Sequence, residues 1–190
     1  MRLSRLVLGL GNPGAEYRET RHNVGFQVVE ELARRWGISV DHLECNSLVG
    51  GGVEGRPWLA RPQTYMNRSG YAARCLLERY GLEPEQILVV YDELNLPLGR
   101  LRLRRSGSPA GHRGLESILE NLRTDQVPRL RLGIAPETGA PAGEGLPDFV
   151  LAPFAADEQE KVAGMIQRAA DACEAWIAEG VEVAMNRFNG

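Results

Sequence analysis

Three kinds of side chain in this sequence can move a proton or hold a carbonyl, and each falls at the end of a predicted element. His22 opens a helical pattern, Asp92 follows the most strand-like run (Ile87–Tyr91), and Asn12, Asn23 and Asn67 stand in or beside turns. A neutral histidine takes a proton from water near pH 7. A carboxylate on its other nitrogen would orient the ring and steady the imidazolium that forms. Neutral amides bind a carbonyl or another amide without adding charge. Together these groups suit general-base hydrolysis, with no nucleophilic side chain required. The dipole at the start of the His22 helix disfavours imidazolium and is expected to keep the ring neutral. The bland alternatives are a capping histidine and a turn-forming aspartate.

For these groups to meet, the elements must bring them to one edge. Arg5–Leu10 reads as a buried strand that breaks into the turn Gly9–Gly14. From His22 to Trp36, apolar residues at Gly25, Val28, Val29, Leu32, Ala33 and Trp36 recur at helical spacing, with Thr20 as N-cap and Gly37 as stop. If Ile87–Tyr91 runs parallel to the first strand, Asp92 and the glycine turn share the sheet end where ligands sit in α/β proteins. A strand pair is expected within 43–61, then a short strand at Trp58–Ala60 and a helix over Tyr71–Tyr80 capped by Ser69. Leu94–Gly99 reads as a turn. Arg100–Arg105 alternates so that Arg100, Arg102 and Arg104 share one face. A helix over His112–Leu122, a strand over Leu130–Ile134, a flexible loop at Glu137–Gly145 and a long amphipathic helix over Asp157–Gly180 complete the chain. The pattern is α/β, organised as a single domain over 1–190.

Composition bounds the function. The 190 residues are 43% hydrophobic and 25% charged, ordinary values for a globular chain. Cys45, Cys75 and Cys173 are distant, odd in number and form no C-x-x-C, so neither a disulfide framework nor a zinc site is expected. That fits a reducing compartment. Three scattered histidines without carboxylate clusters argue against a metal site. No long apolar run precedes the first turn, so no signal peptide or membrane span is expected, and the chain reads as soluble and cytoplasmic. The net charge of −3 hides an asymmetry. Residues 1–134 hold 19 Arg against 15 acidic residues, while residues 135–190 hold 3 basic against 10 acidic. A basic binding face on an acidic protein is compatible with that split.

G-x-S-x-G, H-E-x-x-H and G-K-[ST] are all missing, which removes the common serine-hydrolase, zinc-protease and phosphate-loop machineries. Gly9–Gly14 does fit G-x-G-x-x-G after a strand. Against a nicotinamide site, Pro13 lacks a backbone N–H, helical periodicity begins only near Arg21, and Glu30 and Glu31 lie inside a helix rather than closing a second strand.

Five stretches carry a resemblance: LGLGNPGAEYRETRHNVGF (8–26), RPQTYMNRSG (61–70), YDELNLPLGRLRLR (91–104), GHRGL (111–115) and MNRFNG (185–190). In order and spacing the sequence resembles bacterial peptidyl-tRNA hydrolase over essentially its whole length. The resemblance implies a mixed twisted sheet surrounded by helices, without metal or cofactor, generally monomeric. It implies cleavage of the ester between a peptide and the 3′-terminal ribose of tRNA. It makes His22 the base that activates water, Asp92 its stabiliser and Asn12 the contact to the peptide. Tyr17, Tyr65 and Asn67 would line the site, and the Arg102–Arg104 face would meet tRNA phosphates. The family usually has Asn where this sequence has Arg113, and a more glycine-rich loop where it has Ser108-Pro109-Ala110. Arg113 is accordingly expected to hold phosphate by charge. A non-catalytic RNA-binding protein on the same fold is the rival reading.

Overall fold

The structure, a computed structural model, describes residues 4–190. Among these, seven strands form one mixed sheet in the order β2-β3-β4-β1-β5-β7-β6. β1 is Leu6–Gly9 and is followed by α1 (Val24–Trp36). β2 (His42–Glu44), β3 (Ser47–Gly51) and β4 (Trp58–Pro62) form an antiparallel run. α2 (Ser69–Tyr80) leads to β5 (Ile87–Pro97) and β6 (Leu101–Arg104). α3 (Arg113–Leu122) precedes β7 (Arg129–Ala135), and α4 (Leu146–Val150), α5 (Gln159–Glu179) and α6 (Val181–Phe188) finish the chain. β1 pairs in parallel with both β4 and β5, and β5 with β7. The carboxyl ends of four adjacent strands therefore lie side by side, and three of them, β4, β1 and β5, border one another at the centre, as the hydrolytic reading required.

Both sheet faces are covered. On one, Val24, Val28 and Leu32 of α1 pack with Met165, Ala169 and Trp176 of α5 against Val7, Leu88 and Val90. On the other, Leu76 and Leu77 of α2 and Leu115 and Ile118 of α3 cover Leu6, Leu8 and Val89. Burial on both faces explains why β1 and the first half of β5 are apolar throughout rather than alternating. The glycines after β1 serve this packing. A Cβ on Gly9 would lie 2.2 Å from the Gly25 carbonyl oxygen, and one on Gly25 2.3 Å from that of Val90. Only glycine lets α1 start hard against the strand ends. α1 begins at Val24, ten residues after Gly14, so the glycine turn does not open a helix as a dinucleotide fingerprint must.

Several boundaries differ from expectation. β5 continues through the expected Leu94–Gly99 turn as far as Pro97, because β7 keeps pairing with it past a register shift between Glu93 and Pro97. His22 sits in a 3-10 turn, Arg21–Asn23, ahead of α1. Thr20 has the extended backbone of an N-cap, but its hydroxyl donates to the Tyr17 carbonyl instead of accepting a helix N–H. Ser69 likewise is the first residue of α2 and donates to Met66 O. The loop at 137–145 tightens at Gly143–Gly145 and runs into α4, which its Pro/Gly composition concealed. α6 follows α5 after Gly180. Beyond it, the Asn189 amide bonds both the N–H and the carbonyl of Leu103, finishing the free edge of β6.

The cysteines also depart from expectation, for Cys45 and Cys75 are joined in a disulfide, 30 residues apart in sequence, leaving Cys173 as the buried free thiol. Cys45 and Asn46 form the two-residue β2–β3 turn with positive φ at both positions, which turns the hairpin tip toward α2. Beside the bond, Arg79 pairs with Glu44 at 2.7 Å, and Trp58 stacks on Tyr80 with ring centroids 3.8 Å apart. The cysteines therefore no longer indicate a reducing compartment. Closing a loop of this length restricts the unfolded chain by about 3.6 kcal/mol. Cys75→Ser, or a reductant acting on the parent chain, should lower the midpoint of thermal unfolding to the same extent. Melting curves that coincide with and without dithiothreitol would show that the bond carries no stability.

Candidate active site

Each of the three adjacent strands delivers one group to the shared edge. Asp92 lies in β5, side chain 1% exposed, between two imidazoles. His22 Nδ1 lies 2.9 and 2.8 Å from its two carboxylate oxygens. His112 Nε2 reaches Oδ1 at 2.9 Å. His112 is the N-cap of α3, and its Nδ1 accepts from the Leu115 N–H at 3.2 Å. That bond fixes the tautomer: Nδ1 is the acceptor, so Nε2 carries the proton and donates to Asp92. By the same logic His22 donates from Nδ1 and presents Nε2, as a lone pair, to the cavity that it lines. One ligand atom each from His22, Asp92 and His112 lie within 4.8 Å of one another. The histidines are thus not all scattered, as expected from sequence. These atoms are nonetheless committed to one another by hydrogen bonds.

Asn12 follows β1 and is held from both sides. Asn23 spends its whole amide on it, with Oδ1 accepting from the Asn12 N–H and Nδ2 donating to the Asn12 carbonyl, both at 2.9 Å. Asn23, expected as a binding amide, is therefore a clasp. Asn12 Oδ1 accepts from Met66 N at 2.8 Å, and its Nδ2 makes no protein hydrogen bond among the described residues. One donor is left for a ligand. Met66 and Asn67 follow β4, where Tyr65 takes φ 62°, ψ 156°, a backbone region rarely adopted by a residue with a side chain. That turn throws the Tyr65 ring outward, 56% exposed.

These residues open on a cavity of about 830 Å³. Asn12, His22, Tyr65, Asn67, Asp92 and Arg113 all line it. Its far wall is apolar, made by Leu94 and by Leu146, Pro147, Val150 and Leu151 of α4 and its flank. Arg21 holds that wall in place. Its guanidinium stacks on Phe149 at 4.1 Å and donates to the carbonyls of Phe149 and Ala152, while its backbone N–H also bonds Ala152 O. Tyr17 lines neither this cavity nor its smaller neighbour; it sits in a 3-10 turn whose carbonyl receives Thr20. Arg102 and Arg104 are on β6, opposite Arg131 and Arg129, outside the cavity. Arg129 is buried and bonds the carbonyls of Gly107, Ser108, Asp125 and Val127, so it ties down the loop that leads to His112.

A family model described as Peptidyl-tRNA hydrolase matches residues 6–190. The chain belongs to that family. A peptidyl-tRNA hydrolase from Moorella thermoacetica is 47% identical over the full length of both chains. One from Synechococcus sp. (strain JA-3-3Ab) is 46% identical, covering 97% of this chain and 82% of its own. The solved peptidyl-tRNA hydrolase of Acinetobacter baumannii superposes with a TM-score of 0.90 at 36% identity, covering 100% of this chain and 96% of that one. The family activity is enzymatic hydrolysis of peptidyl-tRNA, a step in translation, and tRNA binding follows from that substrate. Among the described residues, no helix is long and apolar enough to cross a membrane.

His112 was not expected from sequence as a partner of Asp92, although a histidine directly before an amphipathic helix is a legible N-cap. The sign expected for His22 is also reversed. Burial disfavours imidazolium there, but the charge of Asp92 and its hydrogen bond outweigh burial, and the His22 pKa is raised above its ordinary 6.5. Asp92 is held below the usual carboxylate range, its burial outweighed by the two histidines. A base works when neutral, so activity should rise with pH through the raised His22 pKa. In Asp92→Asn the charge is lost while burial stays, so the acidic limb should move to lower pH as the rate falls about 100-fold or more. A pH–rate profile of Asp92→Asn that overlays the parent's would remove Asp92 from this role.

Proposed function

We propose that this chain, acting as a single domain over 1–190, cleaves the ester joining a peptide to the 3′-terminal ribose of tRNA, with His22 as general base. The observation that carries the reading is the Asp92-bound His22 ring, whose Nε2 is free at the mouth of a cavity. Water held at Nε2 gives up a proton as its oxygen attacks the ester carbonyl. Asp92 steadies the imidazolium, and His112 keeps the Asp92 carboxylate in position. The Asn12 amide donor faces the developing oxyanion, a contribution of about 3 kcal/mol in enzymes with comparable donors. Collapse of the tetrahedral intermediate expels the ribose 3′-oxygen, which takes the proton back from His22. The products are free tRNA and a peptide acid, with no covalent enzyme intermediate, metal or cofactor in the scheme.

The remaining assignments extend this reading to the substrate. Tyr65 offers an exposed ring on which a base can stack. Asn67 and Arg113 border the same cavity. The guanidinium of Arg113 offers donors and a fixed charge where an amide would offer both donor and acceptor, which suits a phosphate. Tyr17 contributes through the turn that precedes His22. Arg102 and Arg104 meet phosphates of the acceptor stem from the β6 edge. The protein works as a cytoplasmic monomer, the setting of its translational substrate. The rival reading, RNA binding without hydrolysis, is disfavoured by the intact His22–Asp92 pair.

Incubation with an N-acetylaminoacyl-tRNA, followed by measurement of ester cleavage, tests the function directly. His22→Ala should abolish cleavage while tRNA affinity stays within a few-fold, and activity within tenfold of the parent would exclude His22 as the base. The β6 edge has its own test. Arg102→Ala and Arg104→Ala each take away one cation facing a phosphate. Either should therefore reduce the slope of log K against log salt by roughly 0.7–0.9. Unaltered affinity and slope in both variants would mean that these arginines are only solvated.

A further inference from the structure

A second cavity, of about 520 Å³, adjoins the catalytic one, and Asn12 lines both. It lies beyond the carboxyl ends of β1 and β4, between the turn at Pro13–Ala15, the first turns of α1 and the segment Arg61–Gln63. α1 departs to one face of the sheet and α2 to the other. Apart from Asn12, none of the residues that line this cavity takes part in the catalytic steps.

Its walls have a definite chemistry. Phe26 and Leu48 supply apolar surface. The Arg61 guanidinium lies 5.8 Å from the Phe26 ring centroid and pairs with Glu30 at 2.7 Å. Arg61 Nη2 bonds the Val40 carbonyl, whereas its Nε is buried without a hydrogen-bond partner among the described residues. Gln63 spends Nε2 on the Arg61 carbonyl, leaving its Oε1 as an acceptor. Arg18, exposed at the rim, is a cation without an acidic partner among the described residues. With Arg18 and Arg61 set against Glu30, the cavity carries an excess of one positive charge. An apolar wall of Phe26 and Leu48 beside one amide acceptor, with a cation at the rim, matches a nucleotide: base inside, phosphodiester at the rim.

The substrate has two unlike arms that meet at the ester. The larger cavity has the apolar wall of α4, which suits side chains of a variable peptide, with Tyr65 and Arg113 on its border for the terminal nucleotide; the smaller one combines apolar and polar surface with a net positive charge. We propose that the cavity bounded by Arg18, Phe26, Arg61 and Gln63 seats an unpaired tRNA nucleotide next to the esterified terminal one, with its phosphodiester on Arg18. This rests on the peptidyl-tRNA hydrolase reading, and it assigns to the chain a 3′-end subsite separate from the arginine edge of β6.

The test uses one N-acetylaminoacyl group esterified to adenosine, to the trinucleotide CpCpA and to whole tRNA. The adenosine ester carries no phosphate and no preceding nucleotide. Arg18→Ala should lower kcat/KM about tenfold on the trinucleotide and tRNA esters, the scale of a charge-assisted hydrogen bond, and Gln63→Ala about fivefold, the scale of a neutral one. Both should leave hydrolysis of the adenosine ester unchanged. Arg18→Ala should also flatten the salt dependence of the trinucleotide reaction by about 0.7, the share of one single-strand phosphate. Equal losses on all three esters, or no loss on any, would overturn the subsite. If the parent chain cleaves none of the three, the hydrolase reading fails instead. Because Arg18 is exposed, its replacement leaves the core untouched.

Discussion

Asp92 is a carboxylate with 2% of its residue surface exposed, and a charge so placed persists only through full hydrogen bonding. Its acceptors are taken by His22 on one side and His112 on the other. Stripping a partner from a buried charge costs about 3–5 kcal/mol, so each histidine is fixed by the need of Asp92 as well as by its own packing. The constraint passes outward. His112 is locked by Leu115 N–H and caps α3, so the start of α3 is tied to the Asp92 carboxylate. His22 is locked at Nδ1, and its remaining nitrogen can only face the cavity. One buried charge thereby sets a tautomer, a ring orientation and a helix start.

The carboxylate can sit there because of strand spacing and two glycines. β4, β1 and β5 are neighbours in parallel, and adjacent strands lie about 5 Å apart. Residues leaving their carboxyl ends are therefore within reach of one another whatever their separation in sequence. Gly9 and Gly25 let α1 begin against the strand ends, which brings the turn at Arg21–Asn23 down onto Asp92. A side chain at either glycine would meet backbone atoms, which cannot rotate away. The glycine-rich motif thus works in this chain as a packing device, with Asn12 at its centre clasped by Asn23.

Strand positions follow from apolar runs and where they break, so His22, Asp92 and Asn12 were legible in the sequence as groups at element ends. The arginine alternation in β6 was legible for the same reason, since period two is a local property. Pairings between side chains from distant segments were not. Nothing local marks Asn23 as a clasp rather than a ligand, or places Tyr17 away from both cavities. The Cys45–Cys75 bond depends on the β2–β3 turn pointing at α2, a tertiary fact. The sign of the His22 shift was missed because the helix dipole is a weak, partial charge, whereas Asp92 is a full charge in hydrogen-bond contact.

The position of Arg21 adds a further coupling. It precedes His22 in the same 3-10 turn, and it stacks on Phe149 while bonding the carbonyls of Phe149 within α4 and of Ala152 just after it. The turn that aims the base also anchors the apolar wall opposite it. A general base needs water at its nitrogen, yet an ester in a wide, wet cleft is poorly held and its oxyanion poorly stabilised. A wall fastened to the base's own turn meets both demands, since its distance from His22 is set by one short stretch of backbone. Asn12 stands on the other side, where a single residue lines both cavities. On the hydrolytic reading proposed above, the ester lies between these two fixtures, and discrimination falls to what fills the space on either side of it.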